Sequence, residues 1–238
     1  AYIDILTTTL IVLLGGSLAS GGSMAINMWY ERDIDPLMER TLNRPIPSGF
    51  ISPNHALAFG VGICLTGIAI VSLLTNIKAG MITAFSAFFY VFVYTMFLKR
   101  KTPHNIVIGG LAGSTPPAIG CIAVSNDFSA ILPWLMVLVI FMWTPPHFWS
   151  LTLSKRKDYG DAGVPMLPVV KGEDVTRNHI FAYTLILLLL SILIFASGDV
   201  GIIFLAFGVI LSGYFVFLSF TLRNTKSEKE AWKLFKFS

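Results

Sequence analysis

Seven apolar runs, each near the ~20 residues that cross a bilayer as a helix, dominate the chain. They extend from Ile5 to Trp29, His55 to Thr75, Ala79 to Leu98, Ile106 to Ser125, Ala130 to Leu153, Ile180 to Ala196 and Val200 to Leu222. The polar stretches between them are too short to separate domains, so residues 1–238 are expected to form one all-α, polytopic transmembrane bundle. In the fourth run, Gly109, Gly110, Gly113, Pro116, Pro117 and Gly120 predict a kinked helix or close helix contacts.

Composition agrees with the pattern. Hydrophobic residues make up 55% of the chain and charged residues 13%, against roughly 25% charged in an ordinary soluble domain, and the mean hydropathy is +0.74. The loops after the first, third and fifth runs, together with the C-terminal tail, hold 16 of the 17 Lys and Arg residues, and only Lys78 lies opposite. The positive-inside rule makes that side cytoplasmic, or matrix in a mitochondrion, with the first residue outside. The net charge of +4 therefore reports topology, and bases spread over four loops give no reason to expect nucleic-acid binding. Cys64 and Cys121 fall in apolar runs without metal-ligand spacing and read as packing residues. No basic n-region of a cleavable signal peptide is evident.

Candidate chemistry concentrates just after the first run, where residues 27–45 carry four carboxylates and three arginines. If the helix continues to Pro36, then Asn27, Glu31 and Asp35, at i, i+4 and i+8, share one face. Such oxygen ligands suit a hard cation such as Mg²⁺, which bridges carboxylates to substrate phosphates. Asp33 points off that face and is expected to pair with Arg32 or Arg40. The loop from Asn43 to Gly49, stiffened by Pro45 and Pro47, can return Arg44 to the site. The same charges also fit a solvated loop at the membrane surface. A second loop, from Ser154 to Pro168, mixes cations and carboxylates on the same side, and two such loops can cap an apolar pocket with an anion-binding mouth. The tail from Ser227 to Ser238 reads as an interfacial amphipathic turn or the approach to a further span.

A metal site, cations and a deep apolar bundle together suit a prenyl diphosphate, whose C1–O ionisation needs a neutralised leaving group and a dry site for the allylic cation. Asn27-x3-Glu31-x3-Asp35 followed by Asn43-Arg44-Pro45 resembles the first acidic motif of the UbiA superfamily of intramembrane prenyltransferases. Lys99-Arg100-x-Thr102-x2-Asn105 through Gly110, Trp143 to Trp149 with His147, and Asp158 through Leu167 are similar to its heme-farnesylating branch. The resemblance implies farnesyl transfer from farnesyl diphosphate to a vinyl group of heme B with addition of water, giving heme O and diphosphate. An aromatic quinone-precursor acceptor is the alternative within the superfamily.

The resemblance further implies a bacterial plasma membrane or mitochondrial inner membrane as location, and heme A synthase or terminal-oxidase assembly as partners. The roles expected are Mg²⁺ held by Asn27, Glu31, Asp35 and Asp158, and diphosphate held by Arg44, Lys99, Arg100 and Lys157. Lys99 and Arg100 also fit plain membrane-surface anchors. His147 is the candidate for heme, with a hydrogen-bonding interfacial histidine as the other reading; His55, His104 and His179 sit at run edges. Asp158 and Asp161 stand three apart, where many relatives carry acids four apart. The superfamily bundle has nine helices, so a chain with seven is expected to lack one at each end. A retinal protein would need a lysine in the last run, which has none, and a heme carrier would not need the Asn27–Asp35 acids.

Overall fold

The computed structural model describes residues 4–238; Ala1, expected on the outer side, falls outside them. Among the described residues there are helices and turns and no strand. The helices are α1 (Ile5–Tyr30), α2 (Pro53–Leu74), α3 (Ile77–Phe88), α4 (Asn105–Ser114), α5 (Pro116–Ser125), α6 (Ile131–Ser154), α7 (Arg156–Asp161), α8 (Leu167–Val170), α9 (Glu173–Ala196), α10 (Ile202–Thr225) and α11 (Glu228–Phe237). A π-helical segment, Phe89–Leu98, prolongs α3, and a 3-10 turn, Asp35–Leu37, follows α1.

Among the described residues, seven helices are long and apolar enough to span a membrane: α1, α2, α3 with its π-helical extension, α4 with α5, α6, α9 and α10. Their ends agree with the apolar runs to within a few residues except at α9, which starts at Glu173 rather than near Ile180. The extra turn is charged, so hydropathy misses it. Glu173 and Asp174 stand in the first turn, where the helix dipole favours acids, and the buried Arg177 pairs with both.

Helices α1 and α2 cross through small residues. Gly15, Ala19 and Gly22 face Gly60, Cys64 and Gly67, so the two backbones nearly touch. A Cβ on Gly22 would stand 2.5 Å from both Cys64 N and Gly60 O. Neither backbone atom can swing away, so Gly22→Val is expected to cost about 1–3 kcal/mol. Gly16→Ala, where an added Cβ meets nothing within 4 Å, should be neutral. Thermal unfolding of the two variants in detergent checks the pair.

The fourth span is broken at Thr115, where Pro116 opens α5 without a backbone donor to continue α4. Earlier in that span, Gly109 makes room for an aromatic ring, since a Cβ there would collide with the Tyr94 side chain. Helix α6 passes through Pro145 and Pro146 and buries Trp149 and Leu153 against α9 and α10. The tail forms a short amphipathic helix, as its pattern predicts: α11 folds back so that Ala231 and Leu234 join Leu218 and Leu222 in this core. Cys64 is buried, 3.6 Å from the Ser23 hydroxyl, as packing predicts, while Cys121 is only partly covered.

Candidate functional site

At the end of the bundle that carries the basic loops, α1 stops at Tyr30 rather than running to Pro36. The spacing of the acids nevertheless survives. The Glu31 N–H donates to the Asn27 carbonyl and the Asp35 N–H to the Glu31 carbonyl, both at 2.9 Å, so successive i to i+4 links carry the register through a turn. The turn ends at Met38, whose backbone becomes extended, and Ile34 and Met38 bury in one cluster with Tyr159, Ala162, Val164 and Met166 of the second loop. The two polar loops thus meet through apolar side chains and cap the bundle together.

Glu31 and Asp35 end up 1% exposed and Asn27 is also buried. A solvated surface loop would leave carboxylates in water; these are withdrawn from it. Arg44 returns to them. Thr41 Oγ1 closes the turn by donating to the Asp35 carbonyl at 2.8 Å, and the Arg44 N–H donates to the Thr41 carbonyl at 3.0 Å. From that position Arg44 donates to both Asp35 carboxylate oxygens at 2.9 Å and lies 4.0 Å from Glu31. Lys99, at the end of the π-helical segment, brings its ammonium 2.5 Å from Glu31 Oε1.

Burial governs the charges here. It pushes the Asp35 carboxyl above its ordinary range even though the Arg44 guanidinium pulls it down. Burial also pulls the Lys99 ammonium below its ordinary range, with Glu31 opposing. Glu31 Oε1 has the Lys99 ammonium as its contact and no other protein donor. Two buried carboxylates, one of them disfavoured in its ionised form by burial, form an acidic pair that gains from a further cation. Among the described residues no group of three His, Cys, Asp or Glu side chains is close enough to hold a metal. Mg²⁺ bound with substrate phosphates needs only one or two protein carboxylates, and Glu31, Asp35 and the Asn27 amide fit it.

The remaining candidates are placed differently. Asp33 does not pair with Arg32 or Arg40: both its oxygens accept from Arg100 at 2.7 Å, which holds its carboxyl well below the usual range. Arg32 instead donates to the Trp29 carbonyl at 2.7 Å. Arg100 also donates to the Tyr30 carbonyl at 3.3 Å and sits 5.0 Å over the Tyr30 ring, so Asp33 and Tyr30 already hold it. Lys157 and Asp158, on α7, line a polar cleft of about 530 Å³ with Arg156, Asp161, Glu173 and Glu228, rather than joining Glu31 and Asp35. Asp158 is half-buried and Lys157 exposed. His147 is packed on α6 and α11, stacked 4.3 Å from Trp143 and 4.7 Å from Phe235, with Nδ1 2.7 Å from Ser238 Oγ.

One residue of the site was not anticipated. Thr95, fully buried in the π-helical segment, accepts a hydrogen bond from Asn27 Nδ2 at 3.2 Å. The signal was present in the spacing, since Thr95 and Lys99 stand i, i+4 opposite Asn27 and Glu31, which do the same.

The sequence model described as the UbiA prenyltransferase family matches residues 2–238. A protoheme IX farnesyltransferase of Granulibacter bethesdensis is 47% identical over 226 residues, covering 95% of this chain and 71% of that protein. One from Ruegeria pomeroyi is 48% identical over 223 residues, covering 93% of this chain and 69% of its own length. Among solved structures, a digeranylgeranylglyceryl phosphate synthase superposes with a TM-score of 0.78 at 22% identity, covering 99% of this chain and 81% of that one. A UbiA homologue from Archaeoglobus fulgidus, bound to DMAPP and Mg²⁺, gives 0.73 at 15% identity, with 97% and 85% covered. At these identities the two structures speak to the fold.

Proposed function

The chain belongs to the UbiA prenyltransferase family, and from that premise we propose that it is an intramembrane protoheme IX farnesyltransferase, joining farnesyl from farnesyl diphosphate to a vinyl group of heme B. The observation that carries the reading is the burial of Glu31 and Asp35 as a carboxylate pair with Arg44 and Lys99 in contact, at the mouth of an apolar bundle. The relatives named for this reaction, matched over most of their length, supply the acceptor.

Asn27, Glu31 and Asp35 would hold Mg²⁺, which supplies positive charge to the leaving diphosphate. Arg44 and Lys99 are assigned to the diphosphate oxygens, with charge already in place before the C1–O bond breaks. Arg100, oriented by Asp33, is assigned to the edge of that site. Asp158 and Lys157, on the loop whose Tyr159 and Met166 pack over Ile34 and Met38, are assigned to its outer part. The diphosphate leaves with the electron pair of the C1–O bond, and the vinyl group attacks C1 to form the new C–C bond. The resulting cation lies next to the porphyrin ring, takes up water and releases a proton, which leaves a hydroxyl group on heme O. His147, held between Trp143 and Phe235, is assigned to the porphyrin, whose face suits those rings.

Residues 1–238 act as one domain in this reading. The basic loops, and with them the site, face the cytoplasm or the mitochondrial matrix, in the bacterial plasma membrane or the mitochondrial inner membrane. Heme A synthase or the terminal-oxidase assembly receives the product. The test is to incubate membranes holding the protein with heme B, farnesyl diphosphate and Mg²⁺ and to weigh the hemes by mass spectrometry. Heme O that depends on all three additions is the expected result. Prenylated 4-hydroxybenzoate with unaltered heme, in a parallel incubation, would contradict it.

A further inference from the structure

Within the metal reading above, on which this inference rests, we propose that Thr95 is a positioning residue that sets which end of the Asn27 amide faces the carboxylate pair. An asparagine can serve a cation only through its oxygen. Its NH₂ group is a donor, and a half-turn of the amide would present that donor to Glu31 and Asp35 instead. Asn27 is buried, so its amide depends on protein partners for its orientation. Thr95 is that partner: its hydroxyl accepts from Nδ2 at 3.2 Å, which occupies the donor end of the amide and leaves Oδ1 without a protein donor.

The hydroxyl is itself fixed. Thr95 is fully buried, and the last turn of the π-helical segment is joined to the last turn of α1 at several successive points. Asn27 meets Thr95, Tyr30 Oη donates to the Met96 carbonyl at 3.3 Å, and Glu31 meets Lys99. The Lys99 N–H donates to the Tyr94 carbonyl at 2.9 Å, an i to i−5 link. In that register each residue turns about 80° instead of about 100°, so over the ten residues Phe89–Leu98 the exit face is rotated by roughly half a turn from a continued α3. The π-helical run thus brings Thr95 and Lys99 together onto α1, and Thr95 acts on the metal ligand as outer-shell partners act on metal-bound histidines.

The test is a double-mutant cycle. A carboxylate has two equivalent oxygens and no wrong end, so Asn27→Asp removes the need for a residue that orients the amide. The reading is the Mn²⁺ concentration that half-saturates binding of farnesyl thiodiphosphate, whose C1–S bond resists ionisation, to the full chain in detergent. Thr95→Val should raise that concentration about 10- to 100-fold, Thr95→Ser should restore it, and Thr95→Val should have little effect when Asn27 is already Asp. An equal loss in both backgrounds would mean that Thr95 only supports the fold, and a Thr95→Val protein indistinguishable from wild type would also overturn the proposal while leaving the metal reading intact. Binding that ignores Mn²⁺ in the wild-type protein would overturn the metal reading and this inference with it.

Discussion

Replacing Asp35 with asparagine is expected to lower kcat/KM for farnesyl transfer about 100- to 1,000-fold, the range seen when one preorganised electrostatic group is removed, while the bundle stays folded. The two halves of that result have different origins. Asparagine keeps the shape and can still accept from Arg44, which donates to Asp35 at 2.9 Å, but it removes the negative charge that holds a divalent cation against the diphosphate. Stability moves the other way. The Asp35 carboxyl is raised above its ordinary value by burial, so the fold disfavours its ionised form and loses stability as pH rises through that range. A neutral isostere escapes this cost at neutral pH, and its unfolding temperature should match or exceed that of wild type. Initial rates over a range of farnesyl diphosphate and Mg²⁺, beside thermal unfolding in detergent, read both. Full turnover in Asp35→Asn would remove Asp35 from the metal site.

Lys99→Met should fail on both counts. Its ammonium is the contact partner of Glu31, which is 1% exposed, and stripping one member from a buried pair leaves an uncompensated charge at a cost of about 3–5 kcal/mol. Turnover falls as well, because the same ammonium is assigned to the diphosphate. Adding Glu31→Leu should separate the effects. The double variant has no buried charge left unpaired at that point and should regain stability, yet it has lost a metal ligand and a diphosphate cation and should remain inactive. Recovery of activity along with stability would show that the Glu31–Lys99 pair serves only the fold.

Hydropathy was enough for the seven spans because a helix in lipid must be apolar over its whole length, and Thr115 breaks the fourth span where Pro116 announced it. The sixth span exposes the limit of that signal: its first turn is built from Glu173, Asp174 and Arg177, which satisfy one another and the helix dipole without adding any hydropathy. The acids of the site were legible through their spacing of four. Their path was not, since the turn after Tyr30 buries Ile34 and Met38 against a loop more than a hundred residues further on. Asp33 was misassigned for the same reason. Its partner Arg100 lies 67 positions away, whereas sequence spacing ranks only near neighbours such as Arg32 and Arg40. Thr95 escaped notice because a threonine inside an apolar run carries no chemistry of its own, and its i, i+4 match to Lys99 gains meaning only once Asn27 and Glu31 are seen to face them. Asp158 and Lys157 have the right chemistry for the diphosphate, but the turn of α7 sets them on a cleft with α9 and α11.

In the proposed reaction Asn27, Glu31 and Asp35, backed by Arg44 and Lys99, form the metal and diphosphate clamp. Its most direct test is an experimental structure with Mn²⁺ and farnesyl thiodiphosphate, in which the anomalous signal of the ion fixes its position. An ion bonded directly to Glu31 and Asp35 oxygens is expected, with Arg44 and Lys99 turned onto the diphosphate. An ion bound instead by Asp158 and Asp161, with Arg44 still on Asp35 and Lys99 still on Glu31, would contradict it.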